Sequence, residues 1–229
     1  MSAIIFDFDG TIADSFDLVL DLFYEMTKHP RFTPERVAEF RRMASLRKVA
    51  KAVGLNTRQG AQMFIKGRAL MGRRLSEVPP CKGIEPVLAS LHKQGHQLFV
   101  MSSNSQRNVE AFLRNNELRG HFNVIYGGVG LLSKAGALNK VIRQNRLDPV
   151  QCYYVGDEVR DILAARRARI RSIAVSWGYN DASVLAEAKP FALAKTPKDL
   201  VNIVADKGRT SRVLSKARIF SFHRRRGPN

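Results

Sequence analysis

Apolar residues follow two alternating rhythms along this chain. Short runs rich in Ile, Val, Phe and Tyr read as buried strands: Ala3 to Phe8, HQLFVMS (96–102), FNVIYGG (122–128), QCYYVGD (151–157) and IRSIAVSW (170–177). Between and after them lie stretches with apolar residues at helical spacing: IEPVLASLHKQG (84–95), QRNVEAFLRNN (106–116), KAGALNKVIRQN (134–145), VRDILAARRA (159–168) and TPKDLVNIVA (196–205). Strands alternating with helices predict a parallel sheet covered on both faces, an α/β core of the doubly wound, Rossmann-like kind. In such a core, ligands are expected beyond the carboxyl ends of the strands.

The alternation breaks once. From 16 to 80 only helical patterns occur, such as SFDLVLDLFYEM, PERVAEFRRMASLRKVAKAVG and TRQGAQMFIKGRALMGRRL. A helical insertion directly after the first strand would stand over that strand's carboxyl end, as a lid. The expected organisation is a discontinuous core, 1–15 with 81–206, an all-helical cap over 16–80, and a C-terminal extension over 207–229.

Charge sharpens this division. The formal net charge is +18; residues 28–82 hold 14 Lys and Arg against 3 acids, and 207–229 hold 8 against none. The first 27 residues carry six acids and no base, and the scaffold as a whole is near neutral. The excess positive charge therefore belongs to the insertion and the extension. Arg41, Arg42, Arg47, Lys48 and Lys51 are expected on exposed helix turns, and Val213, Leu214, Ala217 and Phe220 recur among the bases of the extension at helical spacing. A solvated face that draws anionic substrate inward accounts for such a pattern, as does a surface for RNA, DNA or an acidic membrane. No run reaches transmembrane length, and a strand starting at Ala3 leaves no room for a signal peptide. Two cysteines, Cys81 and Cys152, suggest neither a disulfide framework nor a zinc site, so a cytoplasmic setting is expected.

Candidate chemistry collects at the strand ends. The first strand runs into DFDGT, so Asp7 and Asp9, two apart, would leave the sheet on one face. Gly10 permits a sharp turn, and Thr11 adds a hydroxyl and an amide. Two such close carboxylates repel unless a cation or a proton intervenes, and a hard, oxygen-loving ion suits them. The second strand stops at Ser102, Ser103 and Asn104, whose hydroxyl and amide donors could hold phosphate oxygens, while Asn104 or Ser105 could instead cap the next helix with a side-chain oxygen. Lys134 stands at a helix start, and the QCYYVGD strand delivers Asp157 with Asp161 one helical turn on.

In this order, DFDGT, helical insertion, VMSSN, Lys134, GDEVRD and VSWGYN, the chain resembles the haloacid dehalogenase-like hydrolase superfamily, and within it the phosphoglycolate-phosphatase-like phosphatases. The resemblance implies a Mg2+-dependent hydrolase of a small phosphomonoester. By that resemblance Asp7 would be the nucleophile and Asp9 the acid and base. Ser102 would hold a phosphoryl oxygen, with Gly10, Thr11, Ser103 and Asn104 around the substrate, and Lys134 would neutralise Asp7 and the transferring group. Asp7, the backbone carbonyl of Asp9, Asp157 and Asp161 would bind the metal. Glu158 departs from the Ser or Thr often found after the Gly-Asp pair. Two other outcomes share these residues: a phosphomutase, and a phosphatase or binding protein directed at a polyanion through the basic insertion and extension. A dehalogenase is disfavoured by Asp9, because displacing halide needs no leaving-group acid.

Overall fold

A computed structural model describes residues 1–130 and 134–206, so the basic extension over 207–229 lies outside the described residues. Six strands form one parallel sheet in the order β3-β2-β1-β4-β5-β6. They are β1 (Ala3–Phe6), β2 (Gln97–Met101), β3 (Val124–Tyr126), β4 (Cys152–Gly156), β5 (Arg171–Val175) and β6 (Ala192–Ala194). Both faces are covered, which is the doubly wound α/β architecture. β1 is central, with Ile4 opposite Leu98 on one side and Tyr153 on the other.

Strand alternation sorts the core into two layers. Ile4, Phe6, Leu98, Val100, Tyr153 and Val155 pack with α5 (Ile84–Lys93), α6 (Gln106–Asn115) and the helix over 197–206. Ala3, Ile5, Phe99, Met101, Cys152 and Tyr154 pack against α7 (Lys134–Gln144) and α8 (Val159–Arg167). The helices show why: α5 buries Ile84, Val87, Leu88 and Leu91 on one stripe, each contributing about 1.5–3 kcal/mol of transfer free energy.

Between β1 and α5 the described elements are all helical: α1 (Phe16–Thr27), α2 (Pro34–Arg41), α3 (Leu46–Ala52), α4 (Thr57–Arg74) and a 3₁₀ turn at Leu75–Glu77. The single pattern expected over 34–54 is broken, because Ser45 accepts from the Arg47 N–H and starts a new helix. Leu18 and Leu22 of α1 and Met71 of α4 join the core layer of α5 and α6, while Phe32 makes ring contacts with Phe23, Tyr24, His29 and Phe40. The stretch leaves and rejoins the sheet side by side, since Asp14 N–H donates to Pro79 O (2.9 Å) and Cys81 N–H to Ile12 O (2.7 Å). Among the described residues no helix is long and apolar enough to cross a membrane.

Candidate active site

β1 ends at Phe6, two residues earlier than the apolar run suggests, although the Asp7 N–H still donates to Val155 O at 2.8 Å. Beyond it the chain winds tightly. Phe8 O accepts from the N–H groups of Thr11, Ile12 and Ala13, and Gly10 takes φ 73°, a conformation that favours glycine. Asp7 and Asp9 therefore part company as they leave the sheet. Alternation carries Asp7 to the face of α7 and α8, whereas the carboxylate of half-buried Asp9 accepts from the Ser15 hydroxyl at 3.4 Å.

At that face Lys134 opens α7 and Asp161 lies in the first turn of α8. Lys134 Nζ donates to Asp7 Oδ2 and to Asp161 Oδ1, both at 2.5 Å, and all three residues are buried. Asp157, just past the end of β4, accepts from the Thr11 hydroxyl (3.1 Å) and from the Tyr179 N–H (2.7 Å). Bare backbone makes room for it: a Cβ on Gly10 would lie 2.2 Å from Asp157 Oδ2, and one on Gly178 would lie 2.3 Å from Asp157 Cβ. Asp7, Asp157 and Asp161 each offer an oxygen, all within 4.8 Å of one another. Such a buried, all-carboxylate donor set is the kind a hard divalent cation favours, so the residues fit Mg2+.

Burial dominates the electrostatics. It pushes Asp7 up to about 6, with Lys134 opposing and Asp161 adding to the rise. Asp9 is pushed up to about 7, first by burial and then by the charge of Asp7. Asp157 is raised by burial and by Glu158, Asp161 and Asp7. Burial works against the charge of Lys134, but Asp161 and Asp7 outweigh it and hold the ammonium well above its ordinary range.

These shifts carry a sign. Asp7 and Asp9 bind protons more tightly folded than unfolded, so they favour the fold below the ordinary 3.8 and withdraw that support as pH rises toward about 6 and about 7. In chelator-treated protein, Asp9→Asn should therefore gain melting temperature over wild type between pH 4 and 7. Asp9 keeps part of its surface in water, which screens the effect to about 3 °C. Thermal unfolding at pH 4, 5.5 and 7 measures it; a difference that stays flat with pH contradicts the unfavourable burial of the Asp9 charge.

The residues ending β2 divide their work. Ser102 is buried, and its Oγ accepts from the Asn104 N–H at 2.9 Å, which leaves the hydroxyl proton to donate elsewhere. Ser103 is half-buried. Asn104 is buried and its Oδ1 accepts from Ser105 N–H and Asn108 Nδ2, while Ser105 is the residue that caps α6. Of the bases in the helical stretch, Arg42, Arg47, Lys48 and Lys51 are exposed as expected, but Arg41 is not: it is half-buried, stacks on the Phe16 ring and donates to Gly178 O.

Three features near the acids escape the motif pattern. The Tyr179 hydroxyl bonds Ser15 Oγ at 2.8 Å, and the Tyr154 ring lies 5.9 Å from Lys134 Nζ. Arg160 clasps Glu158, with Nε 2.9 Å from Oε1 and Nη2 on the same oxygen. The signals were present, in VSWGYN and in the strict alternation of QCYYVGD, but nothing in spacing alone gives those hydroxyls a partner.

The chain is similar to known proteins over most of its length. A family model described as haloacid dehalogenase-like hydrolase matches residues 4–175. The chain is 36% identical over 206 residues to the phosphoglycolate phosphatase of Synechococcus elongatus, covering 89% of this chain and 97% of that protein. It is 27% identical to the phosphoglycolate phosphatase of Aliivibrio fischeri, covering 88% and 96% respectively. In fold it is similar to a haloacid dehalogenase-like family hydrolase from Streptococcus pneumoniae, with a TM-score of 0.73, 22% identity, and coverage of 89% of this chain and 98% of the other.

Proposed function

Because the chain belongs to the haloacid dehalogenase-like hydrolases and acts on phosphate esters, we propose that it hydrolyses a small phosphomonoester of the phosphoglycolate type with Mg2+. The observation that carries this reading is the buried Lys134 ammonium lying 2.5 Å from both Asp7 and Asp161, two members of the acidic trio. A dianionic ester must approach an anionic nucleophile, and a fixed positive charge lowers that repulsion. Mg2+, held by Asp7, Asp157, Asp161 and the backbone carbonyl of Asp9, would supply further charge neutralisation when bound.

In this reading an Asp7 carboxylate oxygen attacks phosphorus, the ester P–O bond breaks, and Asp9 gives its proton to the departing alkoxide. An aspartyl-phosphate results. Asp9, now ionised, takes a proton from the water that attacks the phosphorus of that intermediate, which returns Asp7 and releases phosphate. Splitting one hard displacement into two easier ones suits phosphomonoesters, which are among the slowest species to hydrolyse unaided. Burial that keeps Asp9 protonated up to about pH 7 suits a leaving-group acid. Ser102 donates its hydroxyl to a phosphoryl oxygen, with Gly10, Thr11, Ser103 and Asn104 close by. The helical stretch over 16–80 closes over these groups as a cap, and the exposed cap bases draw the anionic ester toward it.

A panel of phosphomonoesters with Mg2+, including 2-phosphoglycolate, nucleotides and 5′-phosphorylated oligonucleotides, tests the substrate class. The expected result is the highest kcat/KM on 2-phosphoglycolate and loss of turnover in chelator, restored by Mg2+. Preference for the oligonucleotides would move the reading to a polyanion phosphatase, and phosphoryl return to a sugar instead of water would move it to a mutase.

A further inference from the structure

Arg160 has no part in the chemistry above, yet it stands beside it. It immediately precedes Asp161 in the first turn of α8, and its positive charge acts on both Asp7 and Asp9, opposing the rise that burial imposes on each. Two of its three guanidinium nitrogens, Nε and Nη2, are spent on one carboxylate oxygen of Glu158. The third, Nη1, is buried and has no hydrogen-bond partner among the described residues. A buried N–H without an acceptor is costly, and native structures rarely keep one without a reason.

Charge balance accounts for a cation here but not for the unpartnered Nη1. Lys134 already donates to two of the trio, Asp7 and Asp161, and the charge of Arg160 is matched by Glu158, so neither contact uses the remaining nitrogen. What Glu158 does supply is orientation. Two N–H groups on one oxygen fix the plane of the guanidinium and leave its remaining edge fixed in direction. This also gives a role to Glu158, the residue that departs from the Ser or Thr pattern.

We propose that Arg160, oriented by Glu158, is a substrate-binding residue whose Nη1 edge takes the anionic end of the ester opposite the transferred phosphoryl group, a carboxylate for a phosphoglycolate-type substrate. Within the proposed reaction the phosphoryl oxygens have Lys134 and Ser102 as partners, so the acceptor left for Arg160 is the far end of a short substrate. Glu158 is a positioning residue that acts through Arg160. The inference rests on the phosphomonoesterase reading for its substrate, but the test below separates the two.

Binding is measured in an Asp7→Asn background, which removes turnover, with 2-phosphoglycolate and with ethyl phosphate, which lacks the carboxylate. Calorimetry in Mg2+ gives each Kd. With Arg160 present, 2-phosphoglycolate should bind at least about tenfold more tightly than ethyl phosphate. Arg160→Gln should erase that preference by weakening 2-phosphoglycolate alone, and Arg160→Lys should restore part of it. Because Arg160→Gln leaves Glu158 buried without its partner, the double variant Glu158→Gln/Arg160→Gln, which strands no charge, is measured beside it. Equal weakening of both esters in the double variant, or no preference in the protein that keeps Arg160, would overturn the proposal. Failure of the phosphatase reading is distinct: there, neither ester is hydrolysed by the chain with Asp7 intact, whatever the binding ratio.

Discussion

Asp7→Asn should remove turnover, lowering kcat by at least about 10⁴-fold, and leave the fold in place. The amide that replaces the carboxylate has the same shape but cannot displace the ester oxygen, so only direct attack by water remains. Locally the exchange is mild. Asp7 Oδ1 accepts from the Phe8 N–H at 3.0 Å, a bond that an Asn side-chain oxygen can keep. Asp7 Oδ2 faces Lys134, and that contact is lost, but Lys134 keeps Asp161. Against this loss stands a gain, because burial is the largest influence on Asp7 and disfavours its charge, and Asp161 disfavours it further. The two effects oppose each other, so the melting temperature should move by no more than about 3 °C. Steady-state phosphate release and circular dichroism check the two halves together. Phosphatase activity surviving in a folded Asp7→Asn protein would remove Asp7 from the nucleophile's place, and with it the aspartyl-phosphate.

Much of this molecule is legible in its sequence because its central strands are buried on both faces. Ile4, Ile5 and Phe6 need no polar face, so they appear as a continuous apolar run, and so do QCYYVGD and IRSIAVSW. The edge is harder to read. β6 is the three-residue run Ala192–Ala194, too short to show a period, and neither it nor the six-residue helix Ala182–Glu187 before it is apparent from pattern. The end of β1 is obscured for another reason. Phe8 is as apolar as Phe6 and packs in the same core layer, but it does so from a turn held by its own carbonyl. Helix breaks within a uniformly basic stretch are similarly hidden, since Ser45 looks like one more polar residue until its hydroxyl is seen on the Arg47 N–H.

The site divides along the same line. Asp7, Asp157, Asp161 and Lys134 sit at strand ends and helix starts, positions that local sequence marks, and the structure brings all four together. Arg41 runs the other way: charge alone puts it in water, whereas its guanidinium is drawn down by a carbonyl contributed 137 residues later in the chain. Tyr179 likewise meets Ser15, 164 residues earlier in the chain, through packing that no spacing rule encodes. A positive charge is identifiable from sequence; its partner is a property of the fold.

Lys134→Met should damage both activity and stability, and Mg2+ should mend only the second. The ammonium is 5% exposed and donates to two carboxylates that lie within 4.8 Å of a third. Removing one partner of a buried ion pair costs about 3–5 kcal/mol, because the remaining charges stay behind uncompensated. In chelator, the variant should therefore unfold at a markedly lower temperature than wild type. A divalent ion among Asp7, Asp157 and Asp161 would supply the missing positive charge, so added Mg2+ should raise the melting temperature of Lys134→Met by more than it raises that of wild type. Turnover follows a different rule. Lys134 is the fixed cation beside the attacking oxygen, and losing a preorganised charge at a reacting centre costs at least about 10²–10³-fold in kcat even where the metal is saturating. Titrating Mg2+ against thermal unfolding and against phosphate release in parallel gives the two curves. If Mg2+ stabilises the variant no more than wild type, the three aspartates do not hold the ion, and the metal must be sought elsewhere on the chain.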